Sequence, residues 1–248
     1  MGGFGGGHLV QQFFVSQVQL ETTITGEELK HMQVLRLQVG EEILLSDGKK
    51  LYRGEVLSLG KQEAKVKVLA EMPSSEPPYH IPLYQGLPKG DKINFIVQKA
   101  VELGVSRIVP VQTERSVVKW DNKSAKNKIE RLNRVALEAA KQSHRVVKPE
   151  VSMPLLWSEF VAKWHDFSGL KLVFWEQGYD HLNKAFLESP EKIGIVIGPE
   201  GGLSKEEALA LESPLYTLGP RILRTETASI AALSMLMFAL ELKGEKHF

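Results

Sequence analysis

Three segments combine residue types that can do chemistry at close spacing. The first is IGPEGGLSKEE, Ile197 to Glu207, where an apolar run ends in Gly198, Pro199, Glu200, Gly201 and Gly202. Such glycines let backbone groups reach a ligand, and the plain alternative is a tight turn between strand and helix. Ser204 and Glu207 have the spacing of a capping box that starts the next helix. Neither G-x-G-x-x-G nor G-K-[ST] occurs, so the dinucleotide and triphosphate fingerprints are absent. Glu200 would repel a phosphate and welcome a cation. The second segment is LGPRILRTETASIAAL, Leu218 to Leu233. Thr225 stands where it can cap a long helix, and Glu226 and Thr227 occupy a first turn whose dipole favours an acid. Arg221 and Arg224 lie just upstream. Arg224 can pair with a carboxylate and fix the loop, or act on a ligand, and the two roles are compatible. The third segment is KAVELGVSRIVPVQTERS, Lys99 to Ser116, which displays Thr113, Glu114, Arg115 and Ser116 at the carboxyl end of an apolar run.

The third segment leads into an uneven distribution of charge. The 248 residues carry 31 Lys+Arg against 30 Asp+Glu, a net charge of +1. Between Arg115 and Lys148, ten basic residues face three acidic ones, a local +7 that leaves −6 for the rest of the chain. A solvated helix face explains single lysines; a phosphate-contact surface accounts better for so dense a run. Lys119, Lys123, Lys126, Lys128, Arg131, Arg134, Gln142 and Arg145 fall in it, and Trp120 is a candidate stacking side chain. The absence of cysteine excludes disulfides, thiolate zinc sites and a cysteine nucleophile. Seven histidines without H-E-x-x-H argue against a metal site, and the lack of a G-x-S-x-G elbow argues against acyl-enzyme chemistry.

The elements that must position these segments fall into two groups. Five of the twelve prolines lie between Pro73 and Pro88, which reads as a stiff linker. We place the boundaries at 1–72 for a front domain, with a flexible glycine-rich tail over 1–7, 73–80 for the linker, and 81–248 for the second domain. The front domain reads as strands opening at Phe13, at Ile43 to Leu45, Leu51 to Leu57 and Lys65 to Leu69, with a turn at Asp47-Gly48. A helix starts after Thr25, with Glu28 completing a capping box and Ile24 and Leu29 a hydrophobic staple. Closure into a small barrel would remove the free edges.

The second domain alternates strand and helix. Strands are expected at Ile81 to Gln85, Arg107 to Val111, Lys171 to Trp175, Ile193 to Ile197 and Tyr216 to Leu218. Helices are expected at Lys92 to Leu103, Lys126 to Ser143, His181 to Leu187, Lys205 to Leu211 and Glu226 to Leu240. This is the pattern of an α/β domain with a largely parallel sheet, whose ligands sit at the carboxyl ends of the strands. Trp157 and Trp164 suit packing on a short helix, and Met235, Met237 and Phe238 suit a core or a subunit interface. The apolar run Thr227 to Leu240 is too short to span a bilayer. With no basic leader before the glycine-rich start, we expect a soluble, cytoplasmic protein that does not engage membranes.

GPEGG at 198–202, LGPRILRTETA at 218–228 and VQKAVELGVSRIVPVQTERS at 97–116 resemble the RsmE family of ribosomal RNA methyltransferases, in the trefoil-knotted SPOUT class. HMQVLRLQVGEEILLSDG at 31–48 is similar to that family's front domain, a PUA-like β-barrel. The resemblance implies a knotted α/β domain behind the barrel. It implies S-adenosylmethionine-dependent methylation of the N3 position of one uridine in 16S ribosomal RNA, near the decoding site. The implied partners are the small ribosomal subunit and a second copy of the chain, with no metal. The residues it assigns to the cofactor are Ile197, Gly198, Pro199, Glu200, Gly201, Gly202, Leu218, Gly219, Ile222, Leu223, Thr227 and Ala228. It puts Arg224 and Glu226 at the reacting end, and we add Arg36, Arg115, Lys123, Lys126, Arg131, Arg134, Gln142 and Arg145 as RNA contacts. One departure is Gln12, where the family commonly has a basic residue before the aromatic strand, so that one phosphate contact is expected to be missing.

An always-protonated Arg224 would stabilise the uridine imide anion as it forms, and Glu226 or solvent would take the proton. Two other classes remain open on sequence alone. A non-catalytic RNA-binding or ribosome-assembly protein explains the charge but leaves the glycine loops idle. A nicotinamide-dependent oxidoreductase suits the α/β alternation and lacks the fingerprint.

Overall fold

The computed structural model describes residues 10–182 and 191–243, and the chain divides into two compact units. The glycine-rich tail and most of the helix expected over His181 to Leu187 lie outside the described residues.

The first unit comprises Met1–Glu76 together with Ala140–Lys148. Its strands are β1 (Gln12–Phe14), β2 (Glu21–Ile24), β3 (Glu42–Ser46), β4 (Leu51–Leu59) and β5 (Ala64–Met72), and α1 spans Gly26–Val34. Hydrogen bonding runs in the order β1-β3-β4-β5-β2. The wet and dry faces of β5 follow the sequence alternation: Ala64 and Val66 are buried while Lys67 is exposed. Phe13, Ile24, Leu29, Met32 and Ile43 pack in its core.

Two details differ from expectation. Residues 21–24, of which the sequence reading uses only Ile24 as a helix staple, form an edge strand antiparallel to β5. The Thr25 side chain makes no capping hydrogen bond. Glu28 instead accepts from Lys141 Nζ at 2.9 Å, because a fixed cation outcompetes a backbone amide for its carboxylate.

The second unit comprises Pro77–Ala139 and Pro149–Phe248. Its strands are β6 (Pro82–Gly86), β7 (Arg107–Gln112), β8 (Glu150–Val151), β9 (Leu155–Leu156), β10 (Leu170–Phe174), β11 (Ile193–Ile197) and β12 (Leu215–Tyr216). Its helices are α2 (Lys92–Glu102), α3 (Asn122–Gln142, whose last turn belongs to the first unit), α4 (Trp157–His165), α5 (Lys205–Ala210) and α6 (Thr225–Lys243). The sheet order is β12-β10-β11-β6-β7-β8, with every pairing parallel. All five positions of β11 are buried, as its unbroken apolar run requires when both faces are covered.

Helix α3 is amphipathic: Ile129, Leu132 and Ala136 are buried, and Lys126, Arg131 and Arg134 are exposed. On α4, Phe160 and Trp164 are fully buried against Tyr84 of β6, each worth about 1.5–3 kcal/mol. No described helix is long and apolar enough to cross a membrane.

Candidate active site

Because β10, β11 and β12 run parallel, their carboxyl ends open on one side, and the loops that follow frame a cleft of about 670 Å3. One wall is the loop Gly198–Gly202. Gly202 N–H donates to Pro199 O at 2.9 Å, closing a turn. At φ +67° Gly202 is left-handed, which strains any other residue, and a Cβ there would lie 2.7 Å from Glu176 Oε2 and have to displace that carboxylate. The opposite wall is the loop Thr217–Leu223, tied by Gly219 N–H donating to Thr217 Oγ1 at 3.1 Å. Gly219 has φ +106° with no protein atom within 4 Å of its would-be Cβ, leaving open space on the cleft side. Trp175 and Glu176, at the end of β10, form the floor, with Trp175 Nε1 donating to Leu203 O at 3.0 Å.

The walls are braced from outside. Arg115 Nη1 donates to Gly201 O at 2.9 Å. Glu200 accepts from Lys89 N–H at 3.1 Å and from Lys92 Nζ at 3.0 Å. Burial pushes the Glu200 carboxyl up, but the hydrogen bonds from Lys92 and from backbone amides outweigh it, leaving the group below the usual glutamate range. Lys92 is held above its ordinary value by its bond to Glu200, with a further contribution from Glu226. The cation that Glu200 invites is therefore a lysine of α2. Lys92 Nζ also lies 3.4 Å from Glu226 Oε2, an oxygen that is buried and makes no hydrogen bond.

A buried polar network joins the strand ends to α6. The Thr225 hydroxyl donates to Gly198 O at 2.7 Å and accepts from Gln85 Nε2 at 2.9 Å. Thr225 therefore links loop to sheet instead of capping. The helix opens one residue earlier, with Ala228 N–H donating to Arg224 O at 2.8 Å. The capping box of α5 forms as its sequence suggests, with Ser204 N–H donating to Glu207 Oε2 at 3.0 Å. Glu207 Oε1 also accepts from Glu114 N–H at 2.7 Å.

The cofactor candidates from the glycine loops line this one cleft, except Thr227, which is exposed outside it. Glu226 touches the cleft wall through Lys92. Arg224 is exposed and forms no ion pair among the described residues, so the pairing with a carboxylate considered for it from the sequence does not form. Lys92, Gln85, Ser229, Trp175 and Glu176 were missed. The signals were KGDK after β6 and WEQG after β10, both at carboxyl ends of expected strands.

The RNA candidates separate. Lys123, Lys126 and Arg134 are exposed, and Arg131 is exposed but paired with Asp91 at 2.6 Å. Arg36 and Gln142 are exposed in the first unit, and Arg115 is spent on Gly201. Arg145 requires correction. It is only 3% exposed, and its Nη2 donates to Glu76 Oε2 at 2.6 Å, so it has no surface to offer a phosphate. Trp120 is likewise buried, with Lys128 Nζ 4.8 Å from its ring centroid, and cannot stack on a base. Gln12, which stands where the family commonly has a basic residue, is buried and donates to Arg145 O at 2.7 Å, so its side chain serves the interior of the first unit.

A family model described as RNA methyltransferase domain matches residues 75–237, and one described as RNA methyltransferase PUA domain matches residues 24–69. Over 94% of its length the chain is 36% identical to the ribosomal RNA small subunit methyltransferase E of Bacillus subtilis, covering 98% of that protein. Two solved structures are similar. The ribosomal RNA small subunit methyltransferase E of Neisseria gonorrhoeae bound to S-adenosyl methionine is 29% identical with a TM-score of 0.82, covering 92% of this chain and 97% of that one. A putative methyltransferase of Legionella pneumophila in complex with the same cofactor is 30% identical with a TM-score of 0.81, covering 93% and 98%.

Proposed function

This chain belongs to the ribosomal RNA small subunit methyltransferase E family, and we propose that the atom it methylates is N3 of one uridine of 16S ribosomal RNA near the decoding site. Its reaction is S-adenosylmethionine-dependent methylation of ribosomal RNA. The observation that carries this reading is the cleft at the carboxyl ends of β10 to β12, walled by two glycine loops. The cleft fits the cofactor. Its volume, about 670 Å3, is in the range of small-molecule sites, and Gly202 and Gly219 keep both walls free of side-chain bulk. Backbone groups of Gly198–Gly202 and Leu218–Leu223 would hold an adenosine, and the exposed Ile222 would cover it.

When bound, S-adenosylmethionine supplies an activated methyl group on a sulfonium. The protein's task is then alignment and charge management. The uridine N3–H must leave as a proton while the new N–C bond forms and the S–C bond breaks. Glu226, whose Oε2 lies 3.4 Å from Lys92 Nζ, or solvent would take that proton. Arg224, permanently charged and without an ionic partner among the described residues, would steady the negative imide. Lys123, Lys126, Arg131, Arg134, Arg36 and Gln142 remain the proposed RNA contacts.

We read the two units as the PUA-like domain and the methyltransferase domain on either side of the 73–80 linker, and the second as threaded in the trefoil knot of its class. The working form is a cytoplasmic homodimer on the small subunit. On α6, Ala232, Leu236 and Leu240 are buried within the chain while Met235 and Phe238 are exposed, leaving an apolar stripe for a second copy. Calorimetry with S-adenosylmethionine, followed by mass mapping of small-subunit RNA incubated with the protein, tests the reading. No cofactor binding, or a methyl group elsewhere than uridine N3, would overturn it.

A further inference from the structure

A second cleft, of about 720 Å3, lies in the same unit at the opposite end of the sheet. His80 and Pro82 at the start of β6, Arg107 at the start of β7 and Lys192 just before β11 line it. Lys163 of α4 forms part of its side. The central strands are five or six residues long, so this cleft lies roughly 16 Å from the cofactor cleft along the strand direction.

Its chemistry is that of an anion site. Three permanent cations line it against one carboxylate, Asp166. Arg107 Nη2 is 2.9 Å from Glu150, but both side chains are more than half exposed, so a stronger anion can displace that contact. Lys163 and Lys192 are exposed and have no ion-pair partner among the described residues. Desolvation lowers the His80 proton affinity, and Arg107 and Lys192 lower it further, with no carboxylate opposing them. The local potential is positive. Tyr84, at the floor, keeps its phenolic proton because burial outweighs the pull of Arg107, and so remains a donor.

We propose that this amino-end cleft is a second RNA contact, in which Arg107, Lys163 and Lys192 hold successive phosphates of a strand. Pro82 pairs with Arg107, and His80 bridges to Lys192, so the two cations start two strand spacings apart, roughly 10 Å. Three cations from β7, α4 and the approach to β11 bring more positive charge than one phosphate group carries negative charge, which suits a run of phosphates. The inference rests on the RNA substrate proposed above, but not on the methyl-transfer step.

The test uses the full chain and fluorescence anisotropy with a small-subunit RNA fragment and a scrambled RNA of equal length, across a salt series. The double variant Lys163→Ala, Lys192→Ala should weaken both RNAs about fivefold to tenfold and lower the salt slope by about 0.7 for each phosphate no longer neutralised. Melting temperature and S-adenosylmethionine affinity should hold. Arg107→Gln should weaken RNA binding further in the same way. Parallel titrations with uridine monophosphate and orthophosphate separate the other phosphate sources. If either binds the wild type but not the double variant while RNA affinity and slope stay unchanged, the cleft serves a free phosphate ligand and the proposal is overturned. An unaltered RNA slope with no such binding overturns it equally. Wild-type protein that fails to methylate RNA, while its RNA binding still responds to these substitutions, would sink the enzymatic reading and leave the cleft standing.

Discussion

The Ser229 hydroxyl donates to the Gln85 side-chain carbonyl at 2.6 Å, although 144 residues separate them in sequence. Gln85 Nε2 in turn donates to Thr225 Oγ1 at 2.9 Å, and Thr225 donates to Gly198 O. The end of β6, the loop after β11 and the first turns of α6 are thus one buried hydrogen-bonded unit. Removing the Ser229 hydroxyl strands the Gln85 oxygen in a buried site. Ser229→Ala should cost about 1–3 kcal/mol in denaturant unfolding and weaken S-adenosylmethionine binding through the loosened Gly198 loop. Wild-type values for both would remove the network from the site's architecture.

Gly202 combines a left-handed backbone with a side-chain position already occupied by Glu176. Gly202→Val should abolish S-adenosylmethionine binding in calorimetry, while the far-ultraviolet circular dichroism remains that of a folded α/β protein. Gly219→Ala provides the contrast. It carries the backbone strain of about 1–2 kcal/mol but meets no protein atom, so any drop in affinity reports contact with the ligand itself. Unchanged affinity in Gly202→Val would refute the cleft as the cofactor site.

Arg224 makes no ion pair with Glu226 in the fold, so its removal should leave melting temperature nearly unchanged. Arg224→Ala should preserve cofactor and RNA affinity and lower the single-turnover methylation rate by about 100-fold or more, as expected for a contact made mainly in the transition state. Arg224→Lys should recover part of the loss if charge is what matters, and less if the planar fork matters. A full-rate alanine variant would take Arg224 out of the mechanism.

The brace between Glu200 and Lys92 has a defined pH dependence. The Glu200 carboxyl is held below its ordinary value in the folded chain, so its contribution is present above the unfolded pKa and is lost as pH falls through the folded one. Lys92 is raised, so its side of the contact fails only at strongly alkaline pH. The melting-temperature gap between wild type and Glu200→Gln should be constant from about pH 6 to 8 and close below about pH 4. A gap that persists at acid pH would show that packing, not charge, holds the loop.

The basic stretch should divide by burial. Lys123→Ala, Lys126→Ala and Arg134→Ala should weaken target and unrelated RNA alike and reduce the salt slope by about 0.7–0.9 each, with stability unaltered. Arg145→Ala should do the reverse. It leaves Glu76 without the guanidinium that satisfies it, costing about 3–5 kcal/mol, while the slope stays put. A slope change in Arg145→Ala at full stability would restore Arg145 to the RNA surface.

Local patterns carried much of this protein into view. The alternation of Ala64 to Val68, the unbroken apolar run of β11 and the helical spacing on α3 each express an environment that neighbouring residues share, and periodicity reads such environments directly. The two glycine loops were legible for the same reason, since a strand end, small residues and a helix start are adjacent in the chain. Arg145 and Trp120 were misread because charge and aromaticity are visible in sequence while the partner that buries them is not. Thr25 followed the same logic, its capping acid having been drawn away by Lys141.

The sequence by itself determined most of the longer elements, the placement of the glycine loops and the family, because these depend on short-range spacing and on motif identity. Tertiary structure alone decided the parallel order β12-β10-β11-β6-β7-β8, which brings loops from distant parts of the chain to one end of the sheet. It also decided which charges are spent internally: Lys92 on Glu200 and Glu226, Arg115 on Gly201, Arg145 on Glu76. The physical reason is that a charged or polar group takes its role from its nearest partner and its exposure, and both are set by contacts between residues far apart in the chain.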